Sequence, residues 1–411
     1  MKSEIILGVI VSIFALVILA FSTIFLKRKE SQNNTKTHSK YDQKSMKTSG
    51  MKLFDLVSEY VLVFIYLLVV LGSWFVMFAH GYPLITKSST VSNIHKSCGY
   101  LVFILCVGSW RCASSSSPGY ITRRTLSKHD NYPYDGFLYT GKECPTKKIK
   151  KLARSKYDRF TGQHVARFDH FCGWLNNPVG EENYRIFLLF LLIHSAMCIY
   201  GSIVTFRLFQ GEIIEKDLFN ATFFDATTGK EYKADRAIIF HYLVARHFSI
   251  ASVLGLMFLM GLVLTLFLGF HLYISAKGMT TNEFYKWRHV KKFFKREQAK
   301  ARKAREEAGT QNFHEQSAYG SEKVLDFQDG DVGCAGPMKS DNIISKDDNI
   351  MSLGEIPINI YNQGIVENFK EIIFPRSLRK DALNRWKQDM SKTKTLSNGS
   401  KDESMDKLKH I

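Results

Sequence analysis

Long runs of apolar residues without a single charge constrain this chain more than any other feature. Residues 5–26, 60–79, 186–206 and 251–270 are such runs. About 20 apolar residues in a helix cross the hydrocarbon core of a bilayer, and a helix satisfies its backbone polar groups internally, which lipid cannot do for it. A weaker block, 98–110, has only 13 residues and crosses only by recruiting the polar stretch 91–97. The expected fold is therefore an all-α integral membrane protein of about five transmembrane helices: 5–26, 60–79, about 91–110, 186–206 and 251–274. Residues 5–26 exceed the apolar core of a secretory signal and read as an uncleaved anchor.

The basic residues beside the spans set the orientation. Residues 27–59 carry eight Lys and Arg against four acids, and residues 111–185 carry fourteen against seven. Residues 207–247 have six of each, and 80–97 have only two lysines. Five spans satisfy this asymmetry, with the N-terminus outside and both 111–185 and the tail in the cytosol. The expected organisation is a first membrane region (1–110), a cytosolic loop-rich segment (111–185), a second membrane region with a lumenal loop (186–274) and a cytosolic tail (275–411). In the tail, 291–307 reads as a basic helix, whose charges form either a solvated face or a surface drawn to anionic lipid. Residues 308–350 and 385–411 are poor in large apolar side chains and are expected to lack structure.

The chain has 411 residues and a net charge of +18. Such a surplus suits nucleic acid, an acidic membrane surface or an anionic substrate; with the apolar residues gathered into membrane-length blocks the membrane reading leads, and no nucleic-acid partner is expected. The seven cysteines, at 98, 106, 112, 144, 172, 198 and 334, contain no CxxC pair. Neither a disulfide framework nor a four-thiolate zinc site is expected from that spacing.

The segment 166–177, ARFDHFCGWLNN, holds the candidate chemistry. A cysteine attacks as thiolate, and a neighbouring cation or proton acceptor raises the thiolate fraction. His170 lies two residues before Cys172, and Asp169 could fix the imidazole tautomer. Lys147, Lys148, Lys150, Lys151, Arg154 and Lys156 make the surroundings electropositive. These residues suggest acyl transfer at a membrane surface; an inert thiol beside a chance Asp-His pair is the other reading.

Several motifs in order narrow that choice. KKLARSK (150–156), VARFDH (165–170), CGWLNN (172–177) and VGEENY (179–184) resemble the DHHC protein S-acyltransferases. So do YPYDGFLYTGKECPT (132–146), Ser117-Pro118-Gly119 where the family has Asp-Pro-Gly, Thr280-Thr281-Asn282-Glu283, and NIYNQGIVENF (359–369). The lead-in 132–146 looks like that of the plant and yeast branch, which includes an enzyme acting on SNARE proteins.

The resemblance implies that Cys172 takes the acyl chain from palmitoyl-CoA and passes it to cysteines of membrane-associated proteins. It makes His170 the base, Asp169 the acid that polarises it, and Thr281 a support for that acid. It places Trp174 near the mouth of an acyl cavity and Lys151 toward CoA phosphates. It also implies an endomembrane address, the endoplasmic reticulum or Golgi.

The family builds eight zinc ligands into this segment. Here one set of slots holds Cys144, Lys147, Tyr157 and His164, and the other Asp158, Thr161, Phe171 and Pro178. A structural zinc needs four N or S donors in tetrahedral array, so neither set closes, and no cofactor is expected beyond acyl-CoA as co-substrate. Tyr157, Phe160, Phe168 and Phe171 are expected to supply an apolar core in place of metal. The chain thus reads as an acyltransferase that has shed its zinc; a catalytically silent membrane adaptor is the alternative.

Overall fold

The computed structural model describes residues 49–224, 229–310 and 357–391. The expected span 5–26 and most of the stretches expected to lack structure lie outside them. Helices dominate. Four are long and apolar enough to cross a membrane: Tyr60–Lys87, Ile94–Ser115, Tyr184–Glu215 and Phe248–Ala276. The first joins α1 (Ser49–Val76) to α2 (Tyr82–Lys87) through a π-helical turn, Met77–Gly81. The others are α3 (Ile94–Ser115), α5 (Tyr184–Glu215) and α7 (Phe248–Ala276). The weak block is helical from Ile94, so it does draw in polar residues ahead of Cys98, as its length required.

The described residues fall into two compact units. The first contains the spans and residues 172–177. Its helices show which side meets protein. Val63, Leu67 and Leu71, four residues apart, are buried, whereas Phe64, Ile65 and Leu68 are exposed. A stripe at helical spacing packs inward, and the apolar remainder suits lipid. Asn177 closes the end of α3, its Nδ2 donating to Ala113 O at 3.1 Å and Ser116 O at 2.8 Å. Outside the spans, α6 (Arg236–Arg246) packs Ile239 and Leu243 with Phe209 and Leu218, next to the hairpin of β6 (Thr222–Phe224) and β7 (Glu231–Lys233).

The second unit comprises 117–171, 178–185 and the chain from 271 onward. It is rich in turns. A three-stranded antiparallel sheet has the order β1 (Tyr120–Ile121), β3 (Gln163–Val165), β2 (Lys156–Asp158). A short helix, α4 (Leu126–His129), follows β1, and β4 (His170–Cys172) pairs with β5 (Asn177–Val179). A first core gathers Ile121, Cys144, Ile149, Leu152 and Ala166. A second core gathers Tyr132, Leu138, Tyr139, Ala153, Trp287, Val290, Phe294 and Tyr361. Helix α8 (Thr281–Thr310) contains the expected basic stretch. Helix α9 (Ile365–Ile373) belongs to the 359–369 motif. Residues 380–391 are also helical, so order in the tail runs past 385, where composition alone predicted none.

The aromatic core expected in place of metal does not form. Phe168 is buried, but Phe160 is 64% exposed and Tyr157 and Phe171 only half-buried. Phe160 and Phe171 stack on each other at 4.3 Å instead. The buried cluster of Ile121, Cys144, Ile149, Leu152 and Ala166 supplies the packing.

Candidate active site

The site begins where α7 ends. The sequence Ser275-Ala276-Lys277-Gly278 carries the helix-stop signal, a basic residue followed by glycine. Gly278 N donates to Ser275 O at 2.9 Å and Met279 N to Ile274 O at 3.0 Å, the paired bonds of a Schellman motif. Gly278 has φ +64°, and a Cβ there would come within 2.7 Å of Tyr361 O, so a glycine is required. The last carbonyls of α7 are capped from the 359–369 motif. Asn368 Nδ2 donates to Ala276 O at 3.0 Å and Asn359 Nδ2 to Lys277 O at 3.1 Å.

Two residues further on α8 starts with a capping box. Glu283 N donates to Thr280 Oγ1 at 3.2 Å, and Thr280 N donates to Glu283 Oε2 at 2.9 Å. Thr281 N, one of the first-turn amides that a helix leaves unpaired, donates to Asp169 Oδ1 at 2.7 Å. The acid therefore sits on a helix N-terminus, where negative charge is favoured. Thr281 supports Asp169 through its main chain, not its hydroxyl.

The other carboxylate oxygen, Asp169 Oδ2, lies 2.7 Å from His170 Nδ1. The Asp169 side chain is fully buried, while that of His170 is 24% exposed. Burial pushes the Asp169 carboxyl up. The hydrogen bond and charge of His170, the nearby His271 and the Thr281 N–H outweigh this and hold it below its ordinary value. Asp169 is therefore ionised at neutral pH and orients the imidazole. His170 and Cys172 are alternate residues of β4, so the pleat turns both side chains to one face. Cys172 is buried. Trp174 is 47% exposed, and its carbonyl accepts from Trp110 Nε1 at 3.2 Å. Lys151 is half-buried in the loop before β2, its main chain bonded to Lys142 O and to the Tyr134 hydroxyl.

The start of α8 also holds an ion network that sequence reading missed. Arg154 reaches Glu283 through Nε at 2.7 Å and Nη2 at 2.6 Å, and Glu371 through Nη1 at 3.2 Å. Arg167 Nε lies 3.3 Å from Glu371 Oε1. Tyr139 and Tyr132 donate to Glu283 and Glu371, and the Arg154 guanidinium lies 4.6 Å over the Tyr361 ring. Both arginines adopt the left-handed backbone region, φ 62° and 43°. Such a conformation persists in a bulky residue only where its surroundings hold it. The network thus ties the 150–156 loop, the start of α8 and α9 together. His271 was missed as well: it is buried, and its Nδ1 lies 3.0 Å from the Tyr184 hydroxyl.

A family model for the DHHC palmitoyltransferases matches residues 138–288, the stretch that contains Asp169, His170, Cys172 and the capping box. That stretch is thus similar to a DHHC palmitoyltransferase domain. Among similar proteins, palmitoyltransferase ZDHHC4 of Mus musculus is 33% identical over 174 residues, 42% of this chain and 50% of that protein. Palmitoyltransferase swf1 of Schizosaccharomyces pombe is 28% identical over 334 residues, 78% of this chain and 79% of its own length. Palmitoyltransferase SWF1 of Yarrowia lipolytica is 45% identical over 94 residues, 22% of this chain and 25% of that protein. The chain spans about half the length of the ZDHHC4 relatives it matches.

DHHC domains are expected to hold zinc, and the donor set here does not fit it. Among the described residues one group of three or more His, Cys, Asp and Glu side chains lies close enough to hold a metal, and it is Asp169, His170 and His271, not either family ligand set. In the first set Lys147 is exposed, and Tyr157 faces His164 across the β2–β3 ladder, ring centroids 5.5 Å apart. In the second, Asp158 Oδ2 accepts from Thr161 N at 2.9 Å and Thr161 Oγ1 at 2.6 Å. That side-chain-closed turn occupies the place of a metal knuckle.

Proposed function

We propose that this chain is a protein S-acyltransferase that loads palmitate from palmitoyl-CoA onto Cys172 and passes it to cysteines of membrane-associated proteins, SNAREs among them. The observation that carries the reading is the Asp169–His170 pair, anchored on the α8 N-terminus and borne by the strand of Cys172.

In the first half-reaction His170 takes the Cys172 thiol proton. The thiolate attacks the thioester carbonyl, a new C–S bond forms, and CoA leaves as its thiolate, protonated by His170. In the second, His170 deprotonates the target thiol, which attacks the acyl-Cys172 carbonyl and releases the Cys172 thiolate. Asp169, held anionic, keeps the imidazole in the tautomer that accepts at Nε2. Lys151 is assigned to CoA phosphates and Trp174 to the mouth of the acyl site. The test is transfer of labelled palmitate from palmitoyl-CoA to a cysteine peptide on vesicles by the purified chain. A silent adaptor would transfer nothing.

The four long apolar helices support a multi-pass membrane protein, the charge bias supports a cytosolic site and tail, and the likeness to the yeast relatives supports an endomembrane location, the endoplasmic reticulum or Golgi. Glycosylation tests this orientation. Of the three Asn-x-Ser/Thr sequons, at Asn33, Asn220 and Asn398, only Asn220 should carry a glycan. Asn220 lies exposed in the charge-balanced loop. A glycan on Asn33 or Asn398 would place Cys172 outside, away from acyl-CoA.

The domain is further proposed to work without zinc, which is supported by the Asp158–Thr161 turn and by the buried cluster around Ile121 and Leu152. Elemental analysis should find well under one zinc per chain, and a chelator should leave loading unchanged. Because the Phe160–Phe171 stack is half in solvent, Phe171→Ala should lower stability by only about 1 kcal/mol. Two stoichiometric zinc ions would overturn this part of the reading.

A further inference from the structure

His271 lies in the last turns of α7, a helix otherwise suited to lipid, and is completely buried. Ionisable side chains at such depth are rare and have partners. Its Nδ1 is 3.0 Å from Tyr184 Oη, and Tyr184 Oη is 3.2 Å from Ser275 Oγ. Ser275 is four residues after His271, on the same face of α7. The His271 ring lies 5.8 Å from the His170 ring, centroid to centroid. One donor atom from each of Asp169, His170 and His271 falls within 4.8 Å of the others. Arg167, its guanidinium 5.6 Å over the Tyr184 ring, is a further charged group facing this cluster.

We propose that His271 is a positioning residue for the Asp169–His170 pair, its own tautomer fixed by the chain Ser275–Tyr184–His271. The Ser275 hydroxyl donates to the Tyr184 oxygen, and the Tyr184 hydroxyl donates to His271 Nδ1. The ring proton of His271 then resides on Nε2, and the imidazole brings an N–H dipole beside the Asp169 carboxylate. The carboxylate consequently lies between two imidazoles and the Thr281 N–H, and its charge is shared among them. A carboxylate so satisfied draws less on the His170 proton, which keeps His170 neutral and able to accept from the thiol near pH 7.

The inference rests on the acyl-transfer reading, so two rates at Cys172 are followed against pH: loading by palmitoyl-CoA, and alkylation by a neutral chloroacetamide with no acyl donor present. In His271→Leu the carboxylate pulls harder on His170. The acid limb of both profiles should move to higher pH by about half a unit, and loading at pH 7 should fall by up to about threefold, since a whole unit is a factor of ten. His271→Gln, whose amide supplies both an N–H and an acceptor, should restore most of the wild-type profile. Tyr184→Phe, which keeps the ring and loses the hydroxyl, should shift the limb in the same direction by less.

A purely structural role would lower the yield of folded protein and leave the profile of the folded fraction in place. Unchanged profiles in His271→Leu and Tyr184→Phe would overturn the inference. If His271→Leu does not fold, Tyr184→Phe and Ser275→Ala decide it by the same readout. If the wild type is not loaded but alkylation still shifts in the variants, the acyl-transfer reading fails and the positioning role stands.

Discussion

His170→Ala is expected to lose Cys172 loading by roughly 10²- to 10⁴-fold, the usual worth of a general base, while the spans still insert. In the proposed reaction the imidazole accepts the thiol proton, and its Nδ1 lies 2.7 Å from Asp169 Oδ2. Asp169→Asn should fall in the same range, because an amide can present the wrong hydrogen to the imidazole and cannot balance the cation formed during transfer. Thr281→Ala, in contrast, should keep most of the activity, since the bond to Asp169 comes from the main-chain N–H. Loading rates measured for the three variants on one preparation separate these effects. Equal losses in all three would indicate that the loop is merely perturbed.

The second large effect concerns stability. Arg154→Met should lower it by about 3–5 kcal/mol, the typical consequence of removing one partner from a buried ion pair. The Arg154 and Glu283 side chains are 0% and 1% exposed, and the loss of the guanidinium leaves Glu283 buried without its two short bonds. Glu371 loses a partner as well, but Arg167 and Arg376 remain beside it. Arg154→Lys should recover little, because a point charge cannot serve two carboxylates and Gly278 O as the planar fork does. Thermal unfolding in detergent reads this directly. A midpoint within one or two degrees of wild type would show that the network is not what holds the loop, α8 and α9 together.

What could be read from the amino-acid order follows from how local each signal is. The spans are visible because lipid leaves an apolar helix no alternative, and each is contiguous in sequence. The roles assigned to Asp169, His170 and Cys172 were likewise suggested by adjacency. The turn at 275–283 was legible in part. Lys277-Gly278 is a helix stop and Thr280-x-x-Glu283 a helix start, yet their effect, an amide aimed at Asp169, depends on a residue 112 positions away.

Arg154, Arg167 and Glu371 could not be found this way, since a basic loop usually stays solvated and the partners lie 129 and 217 residues off. His271 gave a weak signal, a polar residue with Ser275 at i+4 in a lipid-suited helix. The aromatic core was wrongly expected because four rings close in sequence were taken to converge. Of the four, Phe168 alone is buried, while Phe160 and Phe171 stack on each other with Phe160 largely in solvent.

The central claim is a covalent intermediate on one thiol. Purified chain should be incubated with palmitoyl-CoA, digested, and every cysteine peptide weighed with and without hydroxylamine. A palmitoyl thioester on the Cys172 peptide, removed by hydroxylamine and missing from Cys172→Ser, is the predicted result. A thioester that persists on another peptide in Cys172→Ser, such as that of Cys144, would contradict it, as would no thioester on any peptide of the wild type.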